Sequence, residues 1–313
     1  MQEQIVCRVI TGPTGSGKSR IAMQLAEKSG WDILCMDSMQ IYRRMNIGTD
    51  KPTEEDRFKV THHLIDICEP SEPFSVSMYA EEAVKKIRSL HQEGKEFVFV
   101  GGTGLYLEAL MKPMGMGFIP ANESLRTELH QIADAPDGKK RLDERLRKID
   151  PDTADKLPLN DIRRRIRAIE VSELTGIPFS CQPASNQESM FQWRVICILP
   201  ERSVLYDRIN RRVYKMIENG LEKEVKSLLS EGIGPDAQSM QAIGYKEMIP
   251  YLHGEYSLDR AIEMIQTGTR HYAKRQITFF KRFDQLQYID PAVKDAERKI
   301  AGFLKGTGGD WND

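Results

Sequence analysis

The segment VITGPTGSGKS, residues 9–19, passes from an apolar run through a glycine-rich turn to a lysine and a serine. Gly12, Gly17, Lys18 and Ser19 satisfy G-x-x-x-x-G-K-[ST], and the flanks agree, with IVCRVIT at 5–11 reading as strand and RIAMQLAEKSG at 20–30 as helix. In that context the loop reads as a phosphate cradle. Its backbone N–H groups converge on an anion at a helix N-terminus, where the aligned peptide dipoles favour negative charge. The cradle comprises Gly12, Pro13, Thr14, Gly15, Ser16, Gly17, Lys18 and Ser19. Lys18 adds a point charge, and the Ser19 hydroxyl is the candidate ligand for Mg2+. The motif leaves open which phosphate compound sits there.

Strand-like runs recur outward from the loop at DILCMD (32–37), HHLIDI (62–67), EFVFVGG (96–102) and FQWRVICIL (191–199), with helical patterns between them. That alternation predicts an α/β fold of the P-loop NTPase type, a mostly parallel sheet flanked by helices. The clearest helix is 76–91, where Val76, Tyr79, Ala80, Ala83, Val84, Ile87 and Leu90 keep one apolar face and Gly94 stops the run. From about 120 to 187 the strand signal gives way to the charged helical patterns ESLRTELHQIA, GKKRLDERLRKID and DIRRRIRAIEVSELTG, followed by the polar stretch SCQPASNQES. The expectation is an all-helical insertion domain at 120–187, hung from a core of residues 1–119 and 188–313, with the polar stretch as a hinge. Beyond residue 199 the pattern is helical almost to the end, with one long stretch closing on Gly232.

Composition narrows the function classes. The chain has 313 residues and a formal net charge of −1, so no global field draws it to nucleic acid and any such site must be a local patch. Cys7, Cys35, Cys68, Cys181 and Cys197 show no C-x-x-C spacing, which argues against a zinc site or a disulfide framework. No signal-peptide pattern and no membrane-length apolar run is present, and the expectation is a soluble cytoplasmic protein.

Two residues at strand ends are candidates for chemistry. Asp37 closes the second strand run, at the edge where open α/β sheets bind ligands, and a carboxylate there can hold magnesium, accept a proton or merely cap a helix. The fourth run ends in Gly101, Gly102 and Thr103, where an NTPase or kinase commonly carries an acidic magnesium ligand. Two glycines admit close approach of a ligand, and Thr103 can cap the next helix while turning its hydroxyl to a phosphate oxygen. His62 and His63 are adjacent, so on a strand they point apart and do not ligate one metal together.

Two basic clusters stand apart. In DIRRRIRAIE, Arg163, Arg164, Arg165 and Arg167 surround the apolar line Ile162, Ile166 and Ile169, which predicts that most of the arginines face outward. In TRHYAKRQITFFKRF (269–283), Arg270, Lys274, Arg275, Lys281 and Arg282 meet no acidic residue and alternate with Tyr272, Phe279, Phe280 and Phe283. Cations for a phosphate backbone and aromatics for unstacked bases suit single-stranded RNA loops.

The ordered set GPTGSGKS, DSMQIYRRMNIGTDKP, HHLIDI, VGGTGLYLEAL, DIRRRIRAIE, QAIGYKE and TRHYAKRQITFFKR, spanning residues 5 to 285, closely resembles the tRNA dimethylallyltransferase family, the bacterial tRNA isopentenyltransferases. Only the phosphate loop among these is widely shared; the order of the set is specific. Gly15 stands where the family often has alanine, and His271 and Phe279 where it often has glutamine and tryptophan. The resemblance implies transfer of a dimethylallyl group from dimethylallyl diphosphate to the exocyclic amine of the adenosine 3′ to the anticodon, with the loop holding a leaving group. It implies Asp37 as base, with Lys18, Thr103 and Arg212 on the departing diphosphate. Ser38, Met39 and Gln40 line the flipped adenosine in that pattern.

Further tRNA contacts implied by the resemblance are Arg126, Ile162, Arg163, Arg164, Arg165 and Ile166 in the insertion. In the C-terminal region they are Gln241, Gly244, Tyr245, Lys246, Arg270, Lys274 and Arg275. The expected partner is the tRNA anticodon stem-loop, engaged by a monomer. Three other readings remain at this stage. A P-loop small-molecule kinase would lack a reason for the Gly-Gly-Thr ending. An isopentenyltransferase acting on AMP would leave the insertion without a role, and a non-catalytic RNA-binding module would leave Asp37 and the loop unexplained.

Overall fold

In the computed structural model the described residues are 4–111, 119, 121–182 and 191–307. The chain divides into two compact units, 1–111 with 189–313, and 112–188. The segment 183–190, which includes most of the expected hinge, lies outside the described residues.

In the first unit the described strands are β1 (Ile5–Thr11), β2 (Asp32–Cys35), β3 (His62–His63), β4 (Phe97–Gly101), β5 (Phe191–Ile198) and β6 (Gln287–Ile289). They form one sheet in the order β3-β2-β4-β1-β5-β6, with every neighbouring pair parallel. β1 lies inside the sheet and is buried along nearly its whole length, which is why apolar residues sit on both of its faces rather than in alternation, interrupted only by Arg8, whose guanidinium bonds Glu96 and the Leu304 carbonyl. Because the strands are parallel, their carboxyl ends share an edge. The register sets Thr11 beside Gly101 and Cys197, and Cys35 beside Val100. The residues that follow, the phosphate loop, Asp37 and Thr103, therefore emerge along one rim, where parallel sheets bind ligands.

The helices of this unit are α1 (Lys18–Ser29), α2 (Glu54–Lys59), α3 (Val76–Gln92), α4 (Gly104–Met111) and, numbering on past the second unit, α9 (Arg202–Glu218), α10 (Leu221–Ser230), α11 (Tyr245–Leu252), α12 (Leu258–Phe280) and α13 (Ala296–Lys305). α3 starts where the Ser75 side chain accepts the Met78 N–H, a cap worth about 1 kcal/mol. The stretch expected to run unbroken to Gly232 is two helices: Gly220 adopts φ 98° and turns the chain between α9 and α10. β6, three residues long, and α2, with no buried residue, carry too little periodicity to be read from sequence.

The second unit holds α5 (Glu123–Asp134), α6 (Gly138–Ile149), α7 (Pro151–Lys156) and α8 (Ile162–Thr175). Leu129, Leu142, Leu146, Ala154, Ile166, Ala168 and Ile169 form its own core. Among the described residues no helix is long and apolar enough to cross a membrane.

Candidate active site

The loop after β1 is shaped by its glycines. Gly12 has φ 146° and no room for a side chain, since a Cβ there would collide with the Ile198 carbonyl; Gly17, at φ 86°, starts α1 from the left-handed region. Lys18 folds back over the loop, donating to the Pro13 carbonyl at 3.4 Å, a long bond that an anion can displace. Burial lowers its amine below the usual lysine range, opposed by the attraction of Asp37. The Ser16 hydroxyl is buried with no partner among the described residues, so the loop holds an unused polar group.

Two arginines of α9, four residues apart and so on one face, reach the loop. Arg212 donates to the Thr14 hydroxyl at 2.7 Å and pairs with Asp50 at 3.2 Å, while Arg208 donates to the Ser16 carbonyl at 3.2 Å. Arg208 was not singled out from the sequence, although its i,i+4 spacing from Arg212 was the available signal.

Asp37 lies two residues past the end of β2. Its Oδ1 accepts the N–H groups of Met39 at 2.9 Å and Gln40 at 3.4 Å, closing a local turn, and among the described residues no hydrogen bond falls on its Oδ2. Thr103 sits at the start of α4, where its carbonyl rather than its side chain receives the Tyr106 and Leu107 N–H groups. The hydroxyl accepts the Ser38 N–H at 3.1 Å, which ties the Asp37 turn to the Thr103 turn. Tyr272 of α12 joins them: burial and the Asp37 charge push its phenol up, and contact with the Thr103 hydroxyl opposes this. In sequence Tyr272 was indistinguishable from the other aromatics of its cluster.

Several expectations are corrected. Gly101 and Gly102 make room for protein rather than for ligand: a Cβ on Gly101 would collide with the Met36 carbonyl, and one on Gly102 with the Gln276 amide. Gln40 is engaged structurally, donating to the Thr49 and Asp50 carbonyls and accepting from the Cys35 thiol. Tyr245 is fully buried with its hydroxyl on Glu224, and Gly244 is buried and donates to Glu247, so neither presents a side chain to solvent. Gln241 and Lys246 are exposed. His63 bonds Asp32, and His62 the Val60 carbonyl.

The basic clusters are less free than their sequences suggest. Arg165 is turned inward, 1% exposed, and bonded to Asp143 and the Pro158, Ala154 and Leu157 carbonyls; Ile166 is core and Ile162 packs against it. Arg126 and Arg167 both pair with the fully buried Glu170. Burial alone would raise the Glu170 carboxyl, but hydrogen bonds from these arginines outweigh it and hold the group below its usual range. Arg163 and Arg164 stay exposed. On α12, Lys274 and Arg275 are exposed, whereas Arg270 bonds Asn210 and Thr267; just past its end, Arg282 meets Glu108 at 3.6 Å, contrary to the expectation of no acidic partner.

For magnesium, Ser19 stands exposed in the first turn of α1, and among the described residues no group of three His, Cys, Asp or Glu side chains is gathered. This fits an ion held mainly by phosphate oxygens and water with one protein hydroxyl, and does not fit a cage of protein ligands.

The geometry thus offers an anion cradle, a carboxylate with one unengaged oxygen, and a threonine between them. The IPP transferase family model matches residues 40–283. The chain is 44% identical to a tRNA dimethylallyltransferase of Thermoanaerobacter sp. (strain X514), over 98% of this chain and 99% of that one. It is 42% identical to one of Thermotoga maritima, over 92% and 93%. Among solved structures, the full-length tRNA isopentenylpyrophosphate transferase from Bacillus halodurans matches with a TM-score of 0.70 at 40% identity, covering 97% of this chain and 98% of that one. A eukaryotic dimethylallyltransferase acting on tRNA matches with a TM-score of 0.77 at 27% identity, covering 98% and 81%.

Proposed function

This chain belongs to the IPP transferase family, and from that premise we propose that it moves a dimethylallyl group from dimethylallyl diphosphate to the exocyclic amine of the adenosine 3′ to the anticodon of tRNA. The observation that carries this reading is the gathering at one sheet edge of the phosphate loop, with Arg212 bonded into it, and of the Asp37 and Thr103 turns, which are bonded to each other through the Ser38 N–H and the Thr103 hydroxyl. The amine nitrogen forms a bond to the allylic carbon as the bond from that carbon to the diphosphate oxygen breaks. Diphosphate leaves, and the amine proton passes to the unengaged Oδ2 of Asp37. An aryl amine is a weak nucleophile, so holding amine, carbon and leaving oxygen in line supplies much of the rate, with effects of about 7–11 kcal/mol available from positioning. Charge growing on the diphosphate meets loop amides, Lys18 and Arg212, preorganised before the reaction begins. Ser19 would hold magnesium, which when bound neutralises part of the diphosphate charge.

Ser38 and Met39 are half-buried beside Asp37, and we assign the flipped base to that side of the site. Exposed Arg163 and Arg164, and exposed Lys274 and Arg275, are assigned to tRNA phosphates. The cytoplasmic location and monomeric state expected above belong to the same proposal. The test is prenyl transfer to bulk tRNA, to AMP and to no acceptor, with and without ATP. Product on tRNA alone, independent of ATP, supports the reading. Transfer to AMP, or ATP consumption coupled to product, replaces it.

A further inference from the structure

Gln276 lies on α12 only 6% exposed, and its amide joins two backbone groups of the site. Its Oε1 accepts the Thr14 N–H at 2.9 Å, and its Nε2 donates to the Gly102 carbonyl at 2.7 Å. The backbones it joins are already close: a Cβ on Gly102 would lie 3.1 Å from the Gly12 carbonyl oxygen. An uncharged carboxamide both accepts and donates from one planar group, whereas an ionised carboxylate only accepts and a lysine or arginine only donates. Leucine or methionine would fill the space but leave the half-buried Thr14 N–H and the buried Gly102 carbonyl without this partner.

The consequences run in both directions from this amide. Toward the loop, the Thr14 N–H is turned to Gln276 and out of the set of amides that can face a phosphate, while the Thr14 hydroxyl accepts from Arg212. Toward the acceptor side, Gly102 precedes Thr103, whose hydroxyl receives the Ser38 N–H beside Asp37. One side chain therefore spans the loop that would hold the leaving group and the turn that carries the groups facing the nucleophile. We propose that Gln276 is a positioning residue that sets the separation of the phosphate loop from the Thr103 and Asp37 turns. This rests on the transfer reading above, because its value for catalysis lies in aligning a leaving diphosphate with an incoming amine.

The test compares Gln276→Met, Gln276→Glu and the parent protein by three readouts: kcat and KM with tRNA and dimethylallyl diphosphate, calorimetric affinity for inorganic diphosphate, and thermal melting. Gln276→Met should lower kcat about 100-fold, the cost of roughly 1 Å of misplacement, and weaken diphosphate about tenfold, with KM for tRNA unchanged. The carboxyl introduced by Gln276→Glu keeps the acceptor for Thr14 but meets the Gly102 carbonyl without a proton. Its kcat relative to the parent should recover as pH falls from about 8 toward about 5 and the carboxyl becomes a donor. A Gln276→Met protein that melts above the assay temperature with parental kcat and diphosphate affinity overturns the proposal. If that variant does not fold, an Gln276→Glu kcat ratio flat in pH overturns it instead. A parent that binds diphosphate more tightly than Gln276→Met yet transfers nothing to tRNA sinks the transfer reading and leaves the effect of Gln276 on the loop standing.

Discussion

Asp37 accepts the Met39 N–H at 2.9 Å through Oδ1, so the carboxylate read as a base is also the closing group of its own turn. The two roles fall on different oxygens and can be separated by substitution. Asparagine keeps an acceptor oxygen for the turn and loses the proton-accepting carboxylate, whereas alanine loses both. Asp37→Asn should lower kcat by about 10²–10⁴-fold with diphosphate affinity and melting temperature unchanged. Asp37→Ala should match it in rate and also melt earlier. Diphosphate affinity lost in both, with kcat restored at saturation, would make Asp37 a metal ligand and not the base.

Lys18 gives a prediction about pH. Burial lowers its amine in the folded protein below its ordinary value, against the pull of Asp37. Between the lowered folded value and the ordinary value near 10.5, the unfolded chain holds a proton that the folded chain has released, so stability rises with pH across that window. Below the window the folded protein bears the full cost of a desolvated ammonium. Lys18→Met should therefore be more stable than the parent in urea melts at neutral pH, with the advantage shrinking as pH approaches 10.5, and it should fail to bind inorganic diphosphate. An advantage that grows with pH would refute this assignment of the cost to the buried charge.

The Gly101 and Met36 backbones pack so closely that a Cβ at 101 has no space. Because the obstacle is a backbone carbonyl, no rotamer change relieves it, and Gly101→Ala should destabilise by about 3 kcal/mol or more. Gly30, at φ 66° with nothing within 4 Å of an added Cβ, is the control: Gly30→Ala should cost only about 1–2 kcal/mol of left-handed strain. Equal stability losses from guanidinium melts of the two variants would remove the steric explanation.

The sequence revealed the order of elements where periodicity was long and punctuation strong. β1 with its loop, α3 with Gly94 after it, and α5, α6 and α8 of the second unit are such cases, whereas α7, only six residues long, carried no periodicity to read. The rim carrying the phosphate loop, Asp37 and Thr103 followed from parallel strands ending together. What stayed hidden depends on partners distant in sequence. Gly101 and Gly102 read as openings for a ligand, since only the fold brings Met36 and Gln276 against them. Arg165 looks like its neighbours in RRRIR, yet helix phase turns it onto Asp143 and three carbonyls while Arg163 and Arg164 stay in solvent. Tyr245 followed the same logic, because its partner Glu224 lies on another helix and also receives the N–H groups of Asn46, Ile47 and Gly48.

That sorting of the arginines sharpens the prediction about RNA. Arg167 and Arg126 neutralise the buried Glu170, and Arg165 holds the inside of the second unit, so removing any of them confounds binding with stability. The separable pair in that unit is Arg163 and Arg164, and in the first unit Lys274 and Arg275. If each pair neutralises two phosphates, its removal should reduce the magnitude of the slope of log affinity for an anticodon stem-loop against log salt by about 1.4, or about 1.8 where the contacts fall on duplex. Affinity should fall correspondingly at low salt, with melting temperature and inorganic diphosphate affinity unchanged in both double alanine variants. Arg165→Met should instead lower the melting temperature, because it leaves Asp143 with Arg147 alone and the Pro158, Ala154 and Leu157 carbonyls without this donor, and should leave the salt slope of the protein that remains folded unaltered. An unchanged slope in both double variants would show that these cations lie on solvated faces and would return the RNA contact to other surfaces.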